Sequence, residues 1–145
     1  MIFDFHLPEE RIMGMNDRMG QGASGADAAN HFYLGVDIAD LSAEASYFKV
    51  VPFSSRLVRA YSTIDGVVGT ADVTVTLKNN GGTALTNGVI TITQSGSAAG
   101  DVDSCDPTGN NTFTQGQRIE ALVSGGGAGG SPRGHLTLIF EKTGP

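Results

Sequence analysis

Three aspartates lie within six residues, Asp101, Asp103 and Asp106, and their carboxylates are the kind of ligand that Ca²⁺ binds. The EF-hand pattern fails here, because Cys105 stands at its third ligand position and Asp106 stands where the loop requires glycine. A solvated acidic loop, with carboxylates that cap turns, is therefore favoured over a calcium site.

The glycine run contains the spacing G-x-G-x-x-G at Gly125, Gly127 and Gly130. A dinucleotide site needs a helix N-terminus directly after such a loop, where the pyrophosphate binds. Here the residues Ser-Pro-Arg-Gly and a strand-like segment follow. We interpret the match to this motif as an accident of the high glycine content of the chain. The functional alternative is a mobile loop on an assembly surface.

The remaining reactive side chains form no catalytic pattern. His6, His31 and His135 are scattered without H-x-x-x-H spacing, whereas zinc usually needs four clustered ligands. Cys105 stands near two carboxylates, which raise a thiol pKa and make it a poor nucleophile. No G-x-S-x-G elbow occurs. We predict that the protein is not an enzyme and has no catalytic residue, no cofactor and no required metal.

Composition limits the partners. The chain has 145 residues, a net charge of −6 and a pI near 4.8, which argues against non-specific nucleic-acid binding. The single cysteine excludes an internal disulfide. No apolar run reaches the ~20 residues of a membrane span, and the start does not resemble a secretory signal. Trp is absent, so a sugar-binding platform is disfavoured; Tyr47 and Tyr61 are expected to be core or interface anchors.

The centre of the chain, residues 56–94, predicts three strands, at 57–64, 71–78 and 89–93, joined by turns. Apolar and polar residues alternate with the strand period of two, and Asn and Gly fill the turn at 79–82. Further strands are expected at 31–38, 46–53, 117–123 and 135–142, with one possible helical turn at 39–45. Short strands separated by regular turn signals predict an all-β fold, an antiparallel, jelly-roll-like β-sandwich. The expected core residues are Val73, Val75, Leu77, Ile90, Ile92, Ile119, Leu136 and Leu138; Val89 belongs to the face opposite Ile90.

Residues 1–30 differ from the sandwich domain at 31–145. Glycines at 14, 20, 22 and 25 break any long helix, and 21–26 is typical of a flexible linker. Two interpretations stay open: a disordered terminus, or an N-terminal arm that binds a partner. The candidate partner-binding residues are the large apolar side chains of this arm, Phe3, Phe5, Leu7, Ile12, Met13 and Met15.

The sandwich domain also carries a resemblance. The segments RAYSTIDG at 59–66, ADVTV at 71–75, GVITI at 88–92 and SGSAAGDVDS at 95–104 resemble a pattern of small tailed-phage proteins. Those proteins are similar to capsid decoration, or cement, proteins. The resemblance covers residues 52–139 and leaves the arm outside.

The resemblance implies a structural virion protein that binds the outside of a tailed-phage capsid and stabilises it. The implied partner is the major capsid protein, in a homotrimer or, alternatively, a homodimer, without direct contact to nucleic acid or membrane. The protein would be made in the host cytoplasm and located on the outer capsid surface. Two rival classes remain: a receptor- or glycan-binding module of a tail fibre or spike, and a small hydrolase with an unrecognised site.

Overall fold

The computed structural model describes residues 30–144, and its regular secondary structure is entirely β-strand. It has nine strands: β1 His31–Ile38, β2 Ala45–Val50, β3 Ser55–Ile64, β4 Val73–Lys78, β5 Ala84–Ile92, β6 Val102–Cys105, β7 Thr112–Phe113, β8 Arg118–Gly125 and β9 Gly134–Lys142. These residues contain no helix that is long and apolar enough to span a membrane.

The strands form two sheets that follow a folded-hairpin order. One sheet runs β1-β9-β3-β6, with β7 also on β3, and the other runs β2-β8-β4-β5. The neighbours β1–β9, β2–β8, β3–β6 and β4–β5 nest within one another along the sequence, which is the arrangement of a jelly roll. The predicted antiparallel sandwich is therefore confirmed.

Strand alternation builds the core between the sheets. Inward side chains of β4, Val73, Val75 and Leu77, are fully buried, while the threonines between them face outward. All eight side chains predicted for the core are buried. On β5, Ile90 is inaccessible and Val89 is 43% exposed, so Ile90 and Ile92 form the inward face.

Several element bounds differ from the predictions. β5 begins five residues earlier than expected, and residues 85–88 lie opposite the single Leu77. Asn87 adopts a φ of 57° in this bulge. The two short strands β6 and β7 have too little alternation to be recognised in the sequence. The helical turn predicted at 39–45 is wrong: Ala45 already belongs to β2, and residues 39–44 form a non-helical turn in which Asp40 accepts hydrogen bonds from the amide and hydroxyl of Ser42.

The glycine run is packed against the loop before β4. The amide of Gly126 donates to the carbonyl of Asp72, and the carbonyl of Gly126 accepts from Thr70 and Ala71. Gly125 has a φ of 96°, and a Cβ there would lie 2.3 Å from the Asp72 carbonyl oxygen. Glycine is needed at this position for both its conformation and its size. A strand, β9, follows the glycine run, where a dinucleotide-binding site would need the N-terminus of a helix.

Candidate functional site

The outer face of the five-stranded sheet carries exposed apolar side chains. Tyr33 on β1 and Val102 on β6 are 67% and 57% exposed, and Tyr61 on β3 and Ile139 on β9 are half-buried. These residues face away from the core because their neighbours in each strand point inward. We call this surface, defined by Tyr33, Tyr61, Val102 and Ile139, the tyrosine face.

Ion pairs lie on the same outer face, and Arg59 is the register partner of Ile139. Arg59 donates two hydrogen bonds to the carboxylate of Asp106, at 2.5 and 2.6 Å, and Arg56 lies 2.5 Å from Glu141. The Arg59 guanidinium also lies 5.7 Å from the ring centroid of Tyr61. Its hydrogen bonds lower the pKa of Asp106. Exposed pairs of this kind add little stability, but they fix the charge pattern that a partner would contact.

A cleft opens at one end of this face, where β1 and β3 end and β9 begins. It encloses about 580 Å³ and is lined by side chains that include Asp37, Thr63, Asp65, Arg133 and His135. Nδ1 of His135 lies 2.7 Å from Asp37, and Asp65 accepts hydrogen bonds from the amide and Nε of Arg133. These contacts lower the pKa of both aspartates. The cleft lining contains no Phe, Tyr or Trp side chain.

The four-stranded sheet has a smaller apolar area on its outer face. Phe48 and Val50 of the edge strand β2 are exposed, and the Arg118 guanidinium lies 4.7 Å from the centroid of the Phe48 ring. Ser46 donates a hydrogen bond to Glu120 nearby. The arginine covers part of the ring, so this area offers less free aromatic surface than Tyr33.

The structure sets Asp106 apart from the other two predicted metal candidates, Asp101 and Asp103, which line one cleft. Asp106 binds Arg59, and Asp101 accepts a hydrogen bond from the Ala98 amide at 2.7 Å. Asp103 alternates with the buried Cys105 and therefore faces the interior between the sheets. Among residues 30–144, no group of three or more His, Cys, Asp or Glu side chains is arranged to hold a metal ion.

Of the other residues singled out in the sequence, Cys105 and Tyr47 pack against the core of the described domain. Cys105 is buried, and burial, followed by the charge of Asp106, raises its thiol pKa to about 11. Tyr47 packs partly buried against the core, and its hydroxyl accepts a hydrogen bond from the Ala39 amide. The candidate partner-binding residues lie outside the described residues: Phe3, Phe5, Leu7, Ile12, Met13 and Met15.

Sequence reasoning missed the tyrosine face and its ion pairs. One signal was present in β1, where Tyr33 occupies an outward position between the inward-facing Phe32 and Leu34. The pairing of Arg59 with Asp106 joins residues 47 positions apart, and no local pattern predicts it.

No protein-family model matches the chain, and no curated protein sequence is similar to it. Solved structures share the fold. A chain from the acid-stable capsid of Helicobacter pylori bacteriophage KHP30 superposes with a TM-score of 0.53 and 11% identity, covering 77% of this chain and 86% of that one. At this identity the similarity shows the fold alone.

Two further structures resemble the chain less closely in superposition. They are the module CsCBM6-3 from Clostridium stercorarium, in complex with cellobiose, and a chain of the cyanophage Pam1 capsid. Their TM-scores are 0.49 and 0.47, with identities of 15% and 9%. Each match covers 79% of this chain. It covers 83% of the Clostridium module and 86% of the Pam1 capsid chain. The structural neighbours thus include both phage capsid proteins and carbohydrate-binding modules.

Proposed function

We propose that this protein is a structural phage protein that decorates the outside of a tailed-phage capsid and stabilises the shell. The observation that carries the proposal is the tyrosine face, an exposed aromatic and aliphatic area that also contains the ion pairs of Arg56 and Arg59. Protein interfaces are enriched in aromatic residues and arginine relative to the rest of the surface. The structural similarity to a capsid chain of phage KHP30 is compatible with this role.

The proposed partner is the major capsid protein, and the proposed assembly is a homotrimer, with a homodimer as the alternative. Closed symmetry lets one small surface be used several times on a shell. Sedimentation equilibrium of the full chain is expected to give the trimer mass at micromolar concentration. A monomer both in solution and on the shell would contradict the assembly.

A binding role fits the chemistry of the described side chains. Most charged groups of the tyrosine face and its cleft are already paired with one another, and the only thiol is buried with a raised pKa. We therefore propose that the protein acts through contact area, without catalysis, cofactor, nucleic acid or membrane.

Binding to undecorated shells tests the proposal. Purified protein is mixed with shells of the source phage that lack it, and the pelleted fraction is measured by titration. Tyr33→Ala is expected to weaken binding roughly tenfold or more, as is common when a large aromatic side chain anchors an interface. Phe48→Ala is the matched control, because it removes an exposed ring from the other sheet and should bind like the wild type.

The main alternative is a receptor- or glycan-binding module of a tail fibre or spike. One observation favours it: the exposed ring of Tyr33 shares its sheet face with Asp37 and Thr63 at the end cleft, where sugar hydroxyls could find hydrogen bonds. Saturable binding to a glycan array, together with no binding of the wild type to shells, would support this alternative and overturn the decoration proposal.

A further inference from the structure

Strand β2 forms an open edge of the four-stranded sheet. In the described part of the chain it pairs with β8 alone, and the sheet ends there. The amide of Val51, directly after β2, donates to the carbonyl of Gln117 on the side of β8. Because peptide groups alternate in direction along a strand, those of Ser46, Phe48 and Val50 point away from β8. β2 therefore presents a row of backbone donors and acceptors with which another extended segment can pair.

Unpaired cations lie on this edge or next to it. Among the residues that the structure describes, the lysines and arginines that form no ion pair with a carboxylate are Lys49, Arg118 and Lys142. Lys49 belongs to β2, and Arg118 is the register partner of Val50. Nζ of Lys142 lies 4.6 Å from the ring centroid of Phe53, three residues after β2. The whole chain has a net charge of −6, so this local positive charge favours an acidic partner.

The edge also exposes apolar side chains. Val50 is 62% exposed and Phe53 is 46% exposed. Because Arg118 covers part of the Phe48 ring, Val50 and Phe53 supply most of the free apolar surface. Lys49 alternates with Val50 and therefore lies on the opposite face of the strand. The edge thus combines apolar surface on one face, backbone hydrogen-bonding groups and a positive charge on the other face.

The N-terminal segment of the chain has the complementary sequence. Residues 1–10 lie outside the described residues and contain three acidic residues but no lysine or arginine. Asp4 stands between Phe3 and Phe5, so apolar and acidic residues alternate with the period of a strand. In a strand added beside β2, the two phenylalanines would lie on the face of Val50, and Asp4 on the opposite face.

We propose that residues 2–7 of a neighbouring copy pair with β2 as an additional strand and place Asp4 beside Lys49. The chain between Leu7 and Asn30 has 22 residues, which span up to about 70 Å when extended, enough to reach a neighbouring copy. Each copy would give its segment to the next one, and such a head-to-tail contact can close into a ring. The inference rests on the proposed homotrimer and names the surface that stabilises it.

Pairing of β2 with β2 of a second copy is disfavoured by charge. A two-fold axis at Phe48 would make the two Lys49 side chains diagonal neighbours on one face, about 7–8 Å apart. Like charges at this distance repel, and a lysine on an edge strand opposes such self-pairing. An acidic segment is instead attracted to the same position.

Disulfide trapping in the purified full chain, without shells, tests the contact. Lys49 occupies a position without hydrogen bonds to the added strand, where paired Cα atoms are about 4.5 Å apart, a distance that a disulfide spans. Asp4→Cys combined with Lys49→Cys should form reducible covalent dimers and trimers at micromolar concentration under mild oxidation. The native Cys105 is buried and has a thiol pKa of about 11, so it should add little background.

A matched control uses the other edge of the same sheet. Thr91 is exposed on β5, so Asp4→Cys combined with Thr91→Cys should remain monomeric. Only monomers in the test variant, or equal cross-linking in the control, would overturn the proposal. So would dimers of the single variant Lys49→Cys, which would show β2 paired with itself, or a disulfide within one chain.

Charge reversal gives an independent measurement by sedimentation equilibrium. Asp4→Lys and Lys49→Glu should each weaken association roughly 3–30-fold, because attraction becomes repulsion. The double variant should recover most of the affinity. No recovery would contradict the contact. Shell binding without this contact would overturn only the present inference, whereas intact covalent trimers that fail to bind shells would overturn only the decoration proposal.

Discussion

Burial determines the chemistry of Cys105, the only cysteine of the chain. Its thiol lies at the end of β6, in register with the buried Ala60, and faces the core. The thiolate loses hydration there and also meets the charge of Asp106, so the pKa rises to about 11. The thiolate fraction of the folded protein at pH 8 is therefore on the order of one in a thousand.

Alkylation kinetics check this pKa. Iodoacetamide should modify the native protein at pH 8 far more slowly than the unfolded protein, whose thiol has an ordinary pKa. The native rate should keep rising with pH up to about 11, because only the thiolate reacts. A native rate that levels off near pH 9 would mean that Cys105 is accessible and unperturbed.

At the scale of the strand, two adjacent residues of β5 test which face of that strand points into the core. Ile90→Ala should reduce the free energy of unfolding by about 2–5 kcal/mol, because it removes a fully buried side chain from the core. Val89→Ala removes a side chain that is 43% exposed and should change it by about 0.5 kcal/mol or less. Chemical denaturation of the two variants measures both values. Equal losses would show that the inward face of β5 is assigned incorrectly.

The close packing of the glycine run makes a second prediction at this scale. Gly125→Ala must place a Cβ 2.3 Å from the Asp72 carbonyl oxygen and also keep a φ of 96°. Gly116→Ala has a similar φ of 88° with open space around it, so it isolates the conformational cost of about 1–2 kcal/mol. Gly125→Ala should be clearly more destabilising in thermal unfolding. A loss no larger than that of Gly116→Ala would contradict the tight contact.

Local alternation explains which elements the sequence could predict. In β4 and β8, buried residues alternate strictly with more exposed ones. The prediction that Val73, Val75 and Ile119 point inward is therefore confirmed. The short strand β6 and the bulge at 85–88 depend on pairing with distant strands, which local periodicity does not contain. The tyrosine face was missed for the same reason, because only the sheet order β1-β9-β3-β6 brings its four residues onto one surface.

At the scale of the whole molecule, the N-terminal arm, residues 1–30, is proposed to bind the capsid or a neighbouring subunit. Burying a large apolar side chain such as Phe3 or Phe5 can contribute about 1.5–3 kcal/mol, whereas ordering backbone costs roughly 1–2 kcal/mol per residue. Only a few anchored residues would therefore add affinity, with 20–25 as a tether.

Deletion of residues 1–20 tests the arm. The truncated protein should keep its melting temperature, since the described core is built from residues 36–140. It should bind shells more weakly than the full chain in the pelleting titration. Unfolding of the truncated protein would mean that residues 3–5 form a strand of the domain, and unchanged binding would mean that the segment is only a disordered terminus.

The most direct test of the decoration proposal is an electron cryo-microscopy map of shells of the source phage, prepared with and without this protein. The proposal predicts extra density of the sandwich on the outer surface at symmetry axes, with the tyrosine face against the shell or a neighbouring subunit. Identical maps under saturating protein, or density found only at the tail, would contradict it.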